Sequence, residues 1–181
     1  MLEEPDINIL RFIHHYRLEA LDPALYVLSY ATSYVSIGIL LTLLFLSIVK
    51  KSKPVRIIFY KMVAVLILAA ITSLLIKTAI QRERPFKAYP DIEKLSQAGS
   101  SSFPSGHTIE AFAVAMALSL LIPHKRVVIP VFIWAILVAY SRMALGVHYP
   151  SDVAGGMVIG VSVGLLVPYL FGKIMKEKPL A

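Results

Sequence analysis

The run IIFYKMVAVLILAAITSLLIKTAI, residues 57–80, decides the class of fold. Its only charges are Lys61 near the start and Lys77 near the end. At about 1.5 Å of rise per helical residue it is long enough to cross the roughly 30 Å hydrocarbon core of a bilayer. Similar apolar runs lie on both sides of it, at 25–49, 106–122, 127–144 and 153–171, of which 106–122 is short. The whole chain agrees with these runs: of 181 residues, 57% are hydrophobic and 16% charged, against about 25% charged in an ordinary soluble domain. Ahead of the runs, residues 6–16 put Ile9, Ile13 and Tyr16, with Phe12 beside them, at near-helical spacing, and Asn8, Arg11 and His15 elsewhere. This is the pattern of a short amphipathic helix suited to a membrane interface. The expectation is an all-α integral membrane protein: one domain over residues 1–181, a bundle of about five transmembrane helices, and an interfacial segment over 1–23. No internal repeat or low-complexity tract divides it.

The formal net charge is +7, from 18 Lys and Arg against 11 Asp and Glu. On a soluble chain that excess would suggest nucleic acid. Here the basic residues flank apolar runs, so no nucleic-acid partner is expected and the bilayer is the partner instead. Lys50, Lys51, Lys53 and Arg56 follow the first run, Lys125 and Arg126 follow the third, and Lys173, Lys176 and Lys178 follow the last. The positive-inside rule places these three groups in the cytoplasm. The N-terminus, the long polar segment 81–105 and the loop 146–151 then share the opposite side. The first residues are acidic and lack a short apolar core before a small-residue cleavage site, so no secretory signal peptide is expected. Absence of cysteine excludes disulfides, thiolate chemistry and Cys-based metal sites.

Alternation of the runs delivers three polar clusters to one face: Lys77 with Arg84-Pro85, then Pro104-Ser105-Gly106-His107, then Ser141-Arg142, His148 and Asp152. Ionisable groups at the edge of a span are costly and point to function. Lys77 alone could snorkel to the interface, but three cations beside two histidines form an anion site. Guanidinium groups suit bidentate contact with phosphate oxygens, and Lys acts as a point charge. Ser105-Gly106 stands where a loop enters a span, and a helix N-terminus favours a bound anion; taken alone it would read as a simple Ser N-cap. Asp152, in the first turn after Pro150, can reach back to His148. A carboxylate on one ring nitrogen sets the tautomer and makes the other the better nucleophile. His107 is then free to give a proton to the leaving oxygen. His107, His148 and Asp152 could ligate a metal by type, but the three cations already supply the charge a metal would bring. No metal or other cofactor is expected.

The pattern Lys77-x6-Arg84-Pro85, Pro104-Ser105-Gly106-His107 and Ser141-Arg142-x5-His148-x3-Asp152 resembles the tripartite signature of the type 2 phosphatidic acid phosphatase (PAP2) superfamily. All three blocks are complete and in order, and they make 77–152 the signature region. The resemblance implies a lipid phosphatase in which His148 forms a phosphohistidine, Asp152 orients it and His107 is the leaving-group acid. It assigns the phosphate to Lys77, Arg84, Ser105, Gly106 and Arg142. It implies a lipid phosphate or pyrophosphate substrate at the outer face of a bacterial inner membrane, towards the periplasm. The short chain is similar to bacterial lipid A 1-phosphatases, which puts lipid A 1-phosphate first. Undecaprenyl pyrophosphate, phosphatidylglycerol phosphate and phosphatidic acid follow. Many members have six spans, and the reduced N-terminus here departs from them. A lipid-to-lipid phosphotransferase through the same phosphohistidine is one alternative. An ion transporter is another, but it calls for charges near mid-span, whereas Lys77, Arg142 and Asp152 fall near span ends. Glu110, one turn beyond His107, is outside the signature and suits the first turn of a helix, with a substrate or proton-transfer role as the alternative. Gly156, Gly160 and Gly164 form a small-residue ridge for close helix packing.

Overall fold

The computed structural model describes residues 3–99 and 101–174. Within them the chain forms α1 (Glu3–His15), a 3-10 turn (Glu19–Leu21), α2 (Asp22–Tyr30), α3 (Thr32–Val49), α4 (Lys53–Ile80), the short α5 (Pro85–Ala88), α6 (Gly106–Leu121), α7 (Lys125–Ala144) and α8 (Pro150–Ile174). No strand occurs among the described residues. The lysines at 176 and 178, and Met1 and Leu2 of the acidic N-terminus, lie outside them.

Four helices, α3, α4, α7 and α8, are long and apolar enough to cross a membrane. The fifth expected span, α6, has only 16 residues, about 24 Å of helix. Its surroundings explain how so short a helix serves. Ala111, Ala113, Ala115 and Ala117 are fully buried, as are Val114 and Ile109 nearly so, so α6 is the centre of the bundle and the longer helices surround it. The glycine ridge of α8 lies directly on it: a methyl group at Gly160 would stand 2.6 Å from the Ile109 carbonyl and 2.9 Å from Phe112 Cβ. Small residues on both helices let the backbones approach. Outside, the bundle is apolar where a soluble protein would be polar; Phe45, Leu74, Leu75 and Val158 are all more than 60% exposed. Such a belt is the surface expected against lipid. The chain is a multi-pass membrane protein.

One expectation needs correction. The run 25–49 is not one helix: the chain bends between α2 and α3 at Ala31. The Thr32 hydroxyl donates to the Ser29 carbonyl at 2.9 Å across the break. α1 forms as a helix, and most of the stripe read from the sequence faces outward. Ile9, Phe12 and Tyr16 are exposed, whereas Asp6, Ile7, Leu10 and His14 are buried. That second face docks α1 onto the loops at one end of the bundle. His14 contacts the Ala144 carbonyl through Nδ1 (3.0 Å) and accepts from Glu93 N–H through Nε2 (3.3 Å). The outer stripe remains free for a membrane interface.

Candidate active site

Lys77 closes α4, Ser105 caps α6, Arg142 closes α7 and Asp152 sits in the first turn of α8. Antiparallel helices of a bundle therefore deliver all of them to one end. The polar segment between α5 and α6 wraps that end and receives the cations on its backbone. Lys77 Nζ and Arg84 Nη2 both donate to the Ser101 carbonyl, at 3.1 and 2.9 Å, which brings the two charges together. Arg84 also donates through Nε to Gly99 O (2.8 Å) and through Nη1 to Val147 O (2.7 Å). The buried Arg142 donates to the hydroxyls of Ser29 and, at 3.3 Å, Ser96, and to Gln97 O at 3.3 Å. Its Nε is buried without a partner among the described residues.

Among the described residues none of these three cations is paired with a carboxylate. Arg84 and Arg142 are 4% and 2% exposed. Buried charge is normally paired, so the cluster has the electrostatics of an anion site.

His148 stands against it. Its Nε2 is 3.2 Å from Arg84 Nη1 and its backbone N–H donates to the Arg142 carbonyl at 3.2 Å. Nδ1 faces Asp152 Oδ2 at 3.4 Å, within ion-pair range but long for a formed hydrogen bond, and it has no closer partner. These neighbours fit the tautomer with the proton on Nδ1 and the lone pair on Nε2, towards the cations. Burial, reinforced by the nearby Arg142 and Arg84 and only partly offset by Asp152, pushes the imidazole down to about 3, so the ring is neutral at ordinary pH.

Asp152 is held from three sides. Oδ2 accepts from Ser102 Oγ (2.5 Å) and Tyr149 N–H (2.9 Å), and Oδ1 accepts from Arg82 Nη1 (2.7 Å). Sequence reasoning missed Arg82, Ser102 and Asp6. Arg82 donates to Asp152, to Ser151 Oγ at 2.6 Å and, through Nη2, to Asp6 of α1 at 2.7 Å, and it stacks 3.9 Å over the Tyr149 ring. Asp6 also accepts from Ser151 N–H at 2.9 Å and from the Ser151 hydroxyl. A cation two residues before the Arg84-Pro85 pair was the one visible signal; its partners come from the far ends of the chain.

Ser105 occupies the N-cap of α6 without capping it. Its hydroxyl oxygen instead accepts from Thr108 Oγ1 at 2.8 Å, and its N–H donates to the Asp152 carbonyl at 3.1 Å. Next to it, Gly106 packs closely: a methyl there would lie 3.3 Å from Ser73 Oγ. His107 lies between two clefts, one of about 520 Å³ shared with Lys77 and Gly106, the other of about 410 Å³ shared with Arg142. All eight residues singled out from the sequence thus gather at one end of the bundle. No group of three or more His, Asp or Glu side chains suited to a metal ion occurs among the described residues.

The sequence profile of the PAP2 superfamily matches residues 58–176. The chain belongs to that superfamily. Among solved structures it is similar to LpxE of Aquifex aeolicus, with 27% identity and a TM-score of 0.74, covering 91% of this chain and 94% of that one. It is also similar to the transmembrane PAP2 type phosphatidylglycerolphosphate phosphatase of Bacillus subtilis, with 25% identity, a TM-score of 0.79, and 99% and 89% of the two chains covered. A curated relative, the undecaprenyl-diphosphatase BcrC of Bacillus subtilis, is 36% identical over 46% of this chain, and the match spans 42% of that protein's length.

Proposed function

We propose that this protein hydrolyses lipid phosphates without a metal, through a phosphohistidine at His148. The observation that carries the reading is the cluster of Lys77, Arg84 and Arg142, unpaired with any carboxylate among the described residues, beside a neutral imidazole whose Nε2 lone pair meets Arg84. A phosphoryl group is the ligand whose charge and geometry complement two guanidinium groups and an ammonium.

The lipid phosphate binds with its oxygens on Lys77, Arg84, Arg142 and the Ser105-Gly106 start of α6, which draws Arg84 from the imidazole. His148 Nε2 attacks phosphorus; the N–P bond forms as the bond to the leaving oxygen breaks, and His107 gives that oxygen its proton. Water then attacks the phosphohistidine, His107 takes the proton, and the N–P bond breaks to release orthophosphate. Asp152 stabilises the Nδ1–H tautomer and the positive charge that grows on the ring, while Arg82 and Ser102 hold Asp152. The cations supply the stabilisation of transition-state charge that a metal would otherwise provide.

Lipid A 1-phosphate is the first-choice substrate, on the resemblance of the short chain to bacterial lipid A 1-phosphatases. The active site faces the periplasmic side of a bacterial inner membrane, in keeping with basic residues at the other end of the bundle. The test is phosphate release by purified protein in mixed micelles across lipid mono- and diphosphates, with His148→Ala beside it. Loss of release in the variant is expected, with an acid-labile phosphoprotein trapped by the wild type. Near-normal release by His148→Ala would overturn the nucleophile assignment.

A further inference from the structure

In-line attack by His148 sends the leaving oxygen to the opposite side of phosphorus, where His107 must stand to protonate it. Two clefts open there, and the larger, about 520 Å³ between α3, α4 and α6, has a definite order of chemistry along it. It begins at Lys77 and His107, continues past Glu110 one turn along α6, and runs on over Ile37, Leu66 and Ala69. Residues three apart on a helix are neighbours, with Cβ atoms about 5–6 Å apart. Glu110 therefore stands about one sugar ring or glycerol unit beyond the leaving oxygen. Its Oε2 accepts from Ser33 Oγ of α3 at 2.9 Å, which leaves Oε1 with no partner among the described residues. Among the described residues no other carboxylate lines either cleft at His107.

We infer that Glu110 and Ser33 form the leaving-group subsite, and that they select lipid monophosphates whose phosphate is carried by a hydrogen-bond-donating head, such as a sugar or glycerol with a free hydroxyl or amide N–H, against lipid diphosphates. Read along the cleft, the order cations, imidazole, carboxylate, hydrocarbon matches phosphate, leaving oxygen, donor and acyl chain. A diphosphate has a second phosphate where the donor should be. That group is anionic and rich in acceptors, so it meets the Glu110 carboxylate with like charge and without a hydrogen to offer. Selectivity thus comes from a repulsive element beside the phosphate cradle, because the cradle itself accepts either substrate. The inference rests on the proposed lipid phosphatase reading and narrows its substrate class.

The experiment compares kcat/KM of wild type, Glu110→Gln and Ser33→Ala for three lipids: a lysophosphatidate with a free glycerol hydroxyl, a simple alkyl monophosphate as reference, and a farnesyl diphosphate. Gln keeps the shape and the bond from Ser33 but removes the charge and supplies an N–H. In Glu110→Gln the diphosphate-to-reference ratio should rise by about tenfold or more, the scale of one charged contact, and the lysophosphatidate-to-reference ratio should fall. Ser33→Ala, which keeps the charge, should leave diphosphate the poorest of the three. Both ratios within twofold of wild type in Glu110→Gln would overturn the inference. So would equal losses on all three lipids, which would make Glu110 a support of His107 or of the fold. Wild type that cleaves the diphosphate as readily as the lysophosphatidate overturns it whatever the variants do. Failure to release phosphate from any lipid, or release that survives His148→Ala, instead removes the lipid phosphatase reading beneath it.

Discussion

Replacing Arg82 by Gln isolates the group that holds Asp152 without touching the phosphate cradle. Three of the guanidinium's five N–H donors are engaged: the two on Nη1 serve Ser151 and Asp152, one on Nη2 serves Asp6, and its face covers Tyr149. In the variant the Asp152 side chain, 0% exposed, keeps Ser102 and Tyr149 N–H on Oδ2 but loses the charged donor on Oδ1. A hydrogen bond to a charged group contributes about 1.5–3 kcal/mol. If that loss falls on the transition state, where Asp152 must balance the growing imidazolium, the rate drops roughly 10- to 150-fold at 1.36 kcal/mol per decade. The drop should appear in kcat with KM little changed, because the phosphate contacts are intact. Arg82→Lys should recover part of it, since an ammonium can reach one carboxylate but not fork to both. Steady-state phosphate release in detergent micelles gives the split, and thermal unfolding of the same samples shows that the fold persists. A folded Arg82→Gln enzyme with kcat within twofold of wild type would refute the positioning role. A raised KM with kcat preserved would make Arg82 a substrate contact instead.

His107→Ala should lose most activity on alkyl phosphates and much less on aryl phosphates, whose leaving oxygens need no proton; equal losses on both would remove His107 from the leaving-group step. With the His148 imidazole held near 3 by burial, the ring stays unprotonated as pH falls from 7.5 to 5.5. Single-turnover release of nitrophenol by His107→Gln should therefore stay nearly level over that range, whereas an ordinary imidazole near 6.5 would lose about nine-tenths of its nucleophile by pH 5.5. A drop of that size would show that His148 titrates normally. Gly160→Ala puts a methyl 2.6 Å from the Ile109 carbonyl, an overpacking of backbone that costs about 1–3 kcal/mol. It should lower the unfolding temperature, and an unchanged value would mean that the helices separate there freely. Exhaustive chelation should leave phosphate release intact, and loss restored by a divalent ion would place a metal in the mechanism.

Much of the molecule was legible without coordinates, for identifiable reasons. Spans are long runs of local hydropathy, so α4, α7 and α8 could be marked from composition alone. Alternation across a membrane then forced Lys77, His107, Arg142 and His148 to one end before any distance was known. Local signals were also incomplete. The break at Ala31 falls within an unbroken apolar run, so hydropathy carries no sign of it. The stripe of Ile9, Phe12 and Tyr16 marks the outer face of α1, but the face that packs, carrying Asp6 and His14, has no comparable apolar pattern in the sequence.

Tertiary structure decided what no spacing encodes: which partner each charge takes. Hydropathy and helix polarity act along the chain, so residue order by itself determined the membrane bundle and the end that bears the chemistry. Hydrogen bonds and ion pairs depend on distances of a few ångströms between segments far apart in sequence. Only packing could therefore join Asp6 to Asp152 through Arg82, gather at the His148 end three cations that have no carboxylate partner among the described residues, and aim Glu110 into the cleft beside His107.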